Sequence, residues 1–431
     1  MSTFSSLKIR NYRLYFIGQG ISLSGTWMQS IGQAWLVLTL TGSGTSLGLV
    51  VALQFLPVLL LAPLGGVIAD RFSKRRILFI TQSAAATLAL VLAVLVATGE
   101  IRLWMIYILA TFYGLTNTVD NPTRQSFVME LAGRDSLRNA VTLNSMEINL
   151  TRVIGPAIAG VLIAGIGFAP CFFINSASFV AVLICLFLMR GEELHRTEPV
   201  RRMKGQLRQG FSYIRQTPLL RDVLIMMAII GTLTYEFQVS LPLIAKFTFH
   251  GSANGYALLT SAMGIGAVLG GLVIAGRSRT SPWGLVGASL AFGITIVLVS
   301  LSPSLPVALA AMVLVGASSI GFTSLCNATL QLESAPQMRS RVMSLWTVAF
   351  LGSTPVGSPI IGWVGEYAGP RWAMAVGGLA ALAAAAYGFF ALRRRPYPDS
   401  SVAGDEDMPR AARNADGAGD ATANPRCRQQ P

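Results

Sequence analysis

The chain has 431 residues, of which 53% are hydrophobic and 12% charged, with a mean hydropathy of +0.58 and a formal net charge of +14. A soluble domain carries about 25% charged residues, so a water-soluble enzyme of this length is excluded and most of the chain belongs in lipid. The positive charge could suggest a nucleic-acid partner, but its placement along the chain argues against one.

A helix needs about 20 apolar residues to cross a hydrocarbon core about 30 Å thick. Twelve such runs are predicted, at 14–40, 46–69, 77–98, 103–126, 139–165, 169–189, 222–248, 254–276, 283–301, 305–331, 341–365 and 372–392. Lys8, Arg10 and Arg13 precede a first run far too long for the core of a signal peptide, so no cleavable leader is expected. Turns rich in Gly, Ser and Pro separate several runs, as at Thr41-Gly42-Ser43-Gly44, Gly167-Phe168-Ala169-Pro170 and Ser302-Pro303-Ser304. The longest polar interruption, 190–221, divides the runs into two sets of six. Within it Leu207, Phe211 and Ile214 recur at helical spacing, which predicts an amphipathic helix on the inner membrane face. Beyond Arg395 the composition turns to Ala, Gly, Asp, Pro and Arg, which predicts disorder.

The expected organisation is a cytoplasmic N-terminus over 1–13, a six-helix bundle over 14–189, a cytoplasmic central loop over 190–221, a second bundle over 222–393 and a disordered cytoplasmic tail over 394–431. The fold class is all-α integral membrane, with twelve transmembrane helices in two pseudo-symmetric bundles. With the N-terminus inside, every one of the 33 Lys and Arg residues except Arg102, Arg152, Lys246 and Arg371 falls on the cytoplasmic side, and Arg152 lies within a helix. That bias places both termini in the cytoplasm of a plasma (inner) membrane, and it accounts for the basic charge without nucleic acid.

Between the second and third runs stands Gly65-Gly66-Val67-Ile68-Ala69-Asp70-Arg71-Phe72-Ser73-Lys74-Arg75-Arg76. An Asp at the mouth of a membrane helix is costly unless it sits at the interface and has a partner. Read alone, the stretch is either an ordinary basic turn or a functional loop. Its pattern Gly-x-x-x-Asp-Arg-x-x-Lys-Arg, carried by Gly66, Asp70, Arg71, Lys74 and Arg75, resembles the loop between helices two and three of the major facilitator superfamily of transporters. Ser73 stands where that family usually has a second Gly. The resemblance implies a gating role: in an outward-open state Asp70 would meet the cytoplasmic start of helix eleven, near Arg339 to Met343.

The two halves echo one another, as parallel repeats do in such transporters. Asn121-Pro-Thr-Arg-Gln125 is echoed by Asn327-Ala-Thr-Leu-Gln331, and Gly155-Pro156-x-x-Ala159 by Ser358-Pro359-x-x-Gly362. Gly270-Gly271 to Arg277 repeats the loop motif without its Asp. In helix five, Gly155, Pro156 and Gly160 predict a kink at a close helix crossing. They also resemble, with Ala159 in place of a Gly, the motif that marks antiporters in the superfamily. With Gly210 to Arg221, Asp120 to Gln125 and Arg339 to Ser344, the resemblance covers roughly residues 5 to 395. It points to the enterobactin-exporter-like and drug:proton antiporter branch.

Ionisable groups deep in membrane helices are expensive and are functional candidates by default. Glu236, Glu147 and Asp120 are the candidates for proton coupling, because burial without a counter-charge penalises the ionised carboxylate. Glu236 has no cation near it along a regular helix seven, whereas Glu147 could pair with Arg152 or Arg124. Asp120 and Arg124, four residues apart, share a helix face and can form a structural ion pair. Gln29, Gln33, Gln54, Asn117, Arg152 and Glu236 are the candidate lining of a substrate cavity, with Trp35 as a companion.

Other apparent motifs carry no chemistry. Gly44-Thr45-Ser46-Leu47-Gly48 has the spacing of a hydrolase elbow but lacks the preceding strand. Gly264-x-Gly266 sits inside an apolar helix, where small residues serve packing. Four cysteines and two histidines lack metal-ligand spacing, and no phosphate-binding Gly-Lys-Ser/Thr loop is present, so no metal or cofactor is expected. The reading is a proton-coupled exporter of a drug, siderophore or related small molecule, working as a monomer by alternating access. The alternatives are an uncoupled facilitator or importer, and a transporter-like sensor or partner-binding membrane protein.

Overall fold

The computed structural model describes residues 4–195, 206–275, 281–335 and 337–394. The predicted tail therefore lies outside the described residues, apart from Arg394. So does the stretch of the central loop that carries Arg201.

Fourteen α-helices follow one another among the described residues: α1 Arg10–Thr41, α2 Gly44–Arg71, α3 Lys74–Ala97, α4 Leu103–Ile166, α5 Ala169–Leu188, α6 Gln206–Gln216, α7 Pro218–Leu233, α8 Phe237–Leu243, α9 Ala253–Ala275, α10 Pro282–Leu301, α11 Leu305–Leu332, α12 Arg339–Leu351, α13 Thr354–Tyr367 and α14 Pro370–Arg394. They make twelve passages. α4 is two of them, because Gly133 takes a left-handed φ of 66° that turns the chain back on itself. α7, α8 and the π-helical turn Ile244–Thr248 make one passage, and α12 with α13 makes another. Ten segments among the described residues are long and apolar enough to cross a membrane. The passages that fall short are α1 and residues 103–132, which carry Gln19, Gln29 and Gln33, and Asn117, Asp120, Asn121 and Arg124 respectively.

Two expected helices are broken. Helix seven was expected to run unbroken over 222–248; it is interrupted at Thr234 to Glu236, with Glu236 at φ −82°, ψ 39°. Pro242 then has no N–H for the carbonyl one turn back, and the next turn widens to π geometry. Helix eleven, expected over 341–365, divides at Gly352 and Ser353, where Pro355 in the first turn of α13 has no N–H for the Leu351 carbonyl.

The amphipathic helix predicted in the central loop is α6. It packs against α12, with Ile214 buried and Phe211 67% exposed. Gly210 faces Arg341 and Leu345 of α12, and the Tyr213 hydroxyl accepts the Ala335 N–H at 3.1 Å.

Packing repeats from one half to the other. α3 lies against α5 as α10 lies against α14, and α2 lies against the first arm of α4 as α9 lies against α11. Two seams join the halves, α2 with α13 and the second arm of α4 with α9. Both seams are tight because glycines line them: Gly44 and Gly48 meet Gly362 and Ser358, and Gly160 and Gly264 meet Asn254 and Val153. Large apolar side chains face outward, including Ile80, Val161, Leu272 and Phe187, as a lipid-facing surface requires. Trp104, Trp363, Tyr367 and Trp372 stand exposed near the end carrying Gly42, Gly99, Gly167 and Gly369, where an aromatic belt is favoured. Below, this is the far end; the end carrying Arg71 to Arg76 is the basic end.

Candidate functional site

Between the halves lies a cavity of about 960 Å³. Its walls come from the middle of α1 (Trp27, Ser30, Ile31) and α2 (Val51, Phe55), and from Asn149 and Arg152 on α4. The second half contributes the α7–α8 break, α9, α11 and α12. It reaches the basic end, where Gln331 and Leu332 are exposed at the end of α11.

At the far end the halves are latched. Glu366, near the end of α13, accepts from the Ser43 hydroxyl at 2.6 Å and the Thr45 N–H at 2.9 Å. A carboxylate thus caps the N-terminus of α2 from the opposite half, where unpaired N–H groups and the helix dipole favour negative charge. Lys246 donates to the Leu38 carbonyl at 2.6 Å, also across the seam, with its ammonium 5.9 Å from the Trp35 ring. Trp35 is itself buried, so its place is beside this latch, away from the cavity.

Glu236 and Arg152 are the acidic and basic residues among the described cavity lining. The helix break turns Glu236 towards α13. It is 2% exposed, its Oε1 has no hydrogen-bond partner, and a Cβ added to Gly357 would stand 2.9 Å from that oxygen. The neighbours expected from a regular helix, Thr232, Leu233, Val239 and Ser240, therefore do not describe its surroundings; Gly357 and Thr354 do. Arg152 lies with its guanidinium carbon 5.0 Å from the centre of the Trp27 ring, and its Nε has no hydrogen-bond partner.

Gln29, Gln33 and Gln54 stand slightly apart. With Thr26, Tyr113 and Gln238 they enclose a recess of about 20 Å³ that shares Ser30, Val51 and Gln238 with the cavity. Gln29 is tied down by Asn175, which donates to its Oε1 at 2.7 Å. Asn117 meets the Tyr113 hydroxyl behind that recess.

Asp120 belongs to a closed network. Arg124 pairs with it at 2.6 Å, and Thr81 and Gln82 donate to it at 2.7 and 2.9 Å. Arg124 also donates to Gln19 at 3.0 Å. Glu147 is 5% exposed with neither carboxylate oxygen hydrogen-bonded; it faces Gly20 of α1 and makes no ion pair with Arg152 or Arg124 among the described residues. In the loop motif, Lys74 pairs with Glu130 at 2.5 Å and both are buried. Arg75 donates to the Leu186 and Phe187 carbonyls at 2.9 and 3.1 Å, closing the C-terminal end of α5. Asp70 and Arg71 line a separate cleft at the basic end, of about 730 Å³. Gly66 is buried within α2. Gly155 faces Trp27 and Ser24 of α1, and Gly160 faces α9, so these small residues serve the crossings that flank Pro156.

Sequence reasoning did not find the aromatic walls, Phe55, Tyr235, Phe237, Trp346 and Phe350, nor the amides Asn149, Asn327, Gln331 and Gln238. Asn327 and Gln331 were visible as a repeat of Asn121 and Gln125. That symmetry was the available signal for a polar face on α11, and Gln331 indeed hydrogen-bonds Asn327.

The family described as transmembrane secretion effectors matches residues 1–412. Among curated proteins, the chain is 31% identical to the staphyloferrin A transporter of Staphylococcus aureus over 61% of its own length and 66% of that protein's. It is 23% identical to the multidrug efflux pump Tap of Mycolicibacterium fortuitum over 80% and 87% of the two chains. It is 25% identical to the enterobactin exporter EntS of Citrobacter koseri over 81% and 80%. A match to the transporter YfiS of Bacillus subtilis spans about half of that protein, at 48%. Among solved structures, a bacterial homologue of the lysosomal transporter Spinster, inward-facing and occupied, superposes with a TM-score of 0.70 over 91% of this chain and 98% of that one, at 16% identity. An inward-facing bacterial homologue of the iron transporter ferroportin does so at 0.68, over 89% and 98%.

Proposed function

Since the chain belongs to the major facilitator superfamily, in its family of transmembrane secretion effectors, we propose that it is a proton-coupled exporter of a small molecule, a siderophore or drug, working by alternating access. The observation that carries the reading is a cavity between two six-helix halves, latched at the far end and reaching the basic end, with a buried carboxylate at its wall. The printed activities of the relatives, export of enterobactin and efflux of drugs, support the direction.

In this proposal the basic end faces the cytoplasm, as the Lys and Arg bias requires, and the cavity is loaded from there. The switch exchanges two latches of one kind. α2 and α13 lie side by side along a seam, α2 running from the far end and α13 running towards it. Glu366 caps the start of α2 when the far end is shut; Asp70, at the other end of α2, caps the start of α12 when the basic end is shut. A proton taken up by Glu236 from outside would neutralise a charge at the wall while the α7–α8 break re-forms against α13. Glu236 is the leading carrier because it alone among the candidate carboxylates lines the cavity. Asp120 is held by three donors, Arg124, Thr81 and Gln82, and serves as a structural pair, and Glu147 is the second candidate.

The test is flux in proteoliposomes. Purified protein should drive a fluorescent drug or siderophore probe uphill when a pH gradient is imposed, and collapsing the gradient with a protonophore should stop it. Equal flux with and without the gradient would replace coupling by facilitated diffusion.

A further inference from the structure

We propose that the cavity selects anionic substrates, a carboxylate or phenolate carried on a flat apolar body, and that Arg152 is the residue that takes the anion. The inference rests on the transport reading only for the claim that this cavity is the substrate's path.

The cavity holds one cation and one carboxylate among its described lining, and the two are presented differently. Glu236 is 2% exposed and directed at the backbone of α13 around Gly357. Arg152 is only half-buried, and it stands on the wall of the lumen over Trp27. The charge a substrate meets is therefore positive.

Away from the cavity, half-buried Arg75 and Lys246 donate to backbone carbonyls, half-buried Arg10 leaves Nη1 without a hydrogen bond, and two further cations are paired with carboxylates. Lys74 has Glu130, and Arg124 has Asp120 together with Gln19. Arg152 has no ion pair among the described residues and leaves Nε without a hydrogen bond. A guanidinium withdrawn from water and left unpaired is costly. Contact with a tryptophan face offsets part of that cost, and the N–H donors remain available in a fork that fits a planar oxyanion.

Around this group the walls are aromatic, from Trp27, Phe55, Phe237, Trp346 and Phe350, which suits a flat ring system. Asn149, one helical turn from Arg152, offers an amide that can both donate to and accept from hydroxyl groups beside the anion. A cationic drug would meet the same walls but would have to lie against an uncompensated guanidinium. That arrangement is repulsive and selects against it.

Equilibrium dialysis tests this on the full chain in nanodiscs of phosphatidylcholine, with empty discs as the blank. The probes are fluorescein, an anionic flat ring system, and ethidium, a cationic one. Saturable fluorescein binding is expected, weakened at least tenfold in Arg152→Gln and partly restored in Arg152→Lys, which keeps the charge and loses the fork. Monodisperse elution of both variants controls for folding. The proposal is overturned by fluorescein affinity unchanged in Arg152→Gln, by no saturable fluorescein binding, or by ethidium binding more tightly than fluorescein. Flux separates the two readings: pH-driven export of ethidium with no fluorescein binding removes anion selection and leaves transport standing. Arginine-dependent fluorescein binding with no flux of either probe keeps the anion site and removes transport.

Discussion

Glu236 sits where α7 ends and α8 begins, with one carboxylate oxygen unsatisfied against a neighbouring helix. A glutamine there keeps the shape of the protonated acid and cannot ionise. Glu236→Gln should therefore abolish uphill export driven by a pH gradient while leaving probe binding within about twofold of wild type. Proton-driven export that survives the change would move the carrier role to Glu147, whose two carboxylate oxygens are both without hydrogen bonds. Lys74 and Glu130 predict the opposite kind of effect. They form a buried pair at 2.5 Å inside the first half. Lys74→Met strands a buried carboxylate, and breaking such pairs costs about 3–5 kcal/mol. The expected readout is a lowered unfolding midpoint, with much of the loss recovered in Lys74→Met/Glu130→Leu, where no charge is stranded. Among the loop-motif residues, Lys74 and Arg75 are thus bound into the first half, and the gating role the resemblance implies falls to Asp70.

The seam helices carry the conformational predictions. Glu366 grips the first turn of α2 through Ser43 and Thr45, and capping interactions of this kind are worth about 0.5–2 kcal/mol. Glu366→Gln should loosen the far end and shift the balance towards outward-open. Cysteine pairs across α2 and α13 at that end would then cross-link more slowly than in wild type. Asp70→Asn should do the reverse at the basic end, with slower turnover and a protein still folded in the membrane. Unchanged cross-linking in Glu366→Gln would reduce the contact to a local cap. Gly48 has a sharper requirement, since any Cβ there runs into the backbone of Ser358 and Pro359. Gly48→Leu should wedge the far seam open and lower export through the same equilibrium, without touching the cavity.

At the scale of the whole molecule the prediction concerns which end faces the cytoplasm. The charge bias puts Arg201 inside and the turn after α3 outside. Lys246 is a poor external reporter because it is half-buried and bonded to Leu38; the exposed Glu100 is better placed. In a cysteine-free background, an impermeant thiol reagent should label Glu100→Cys on intact cells and should reach Arg201→Cys only after lysis. The opposite pattern would invert the proposed direction of loading.

The number of passages, the division into halves and the parallel repeat were legible because each rests on local chemistry: apolar length, turn residues and charge placement act within a few residues of one another. The same holds for the Asp120–Arg124 pair, where helical spacing alone brings the partners together. The breaks at Glu236 and at Gly352 were not legible as breaks. Pro242 and Pro355 were visible, but a proline can kink, end or be absorbed by a membrane helix, and packing against neighbours decides which. The cavity walls were hidden for a related reason. In a chain whose lipid-facing surface is as apolar as its interior, an aromatic residue carries no mark of which way it faces. Sequence therefore determined what had to enter the membrane, how many times and with what polar cargo. Only the packing of one half on the other decided that Arg152 and Glu236 line the cavity, that Gln29, Gln33 and Gln54 gather in a side recess, and that Glu366 closes the far end.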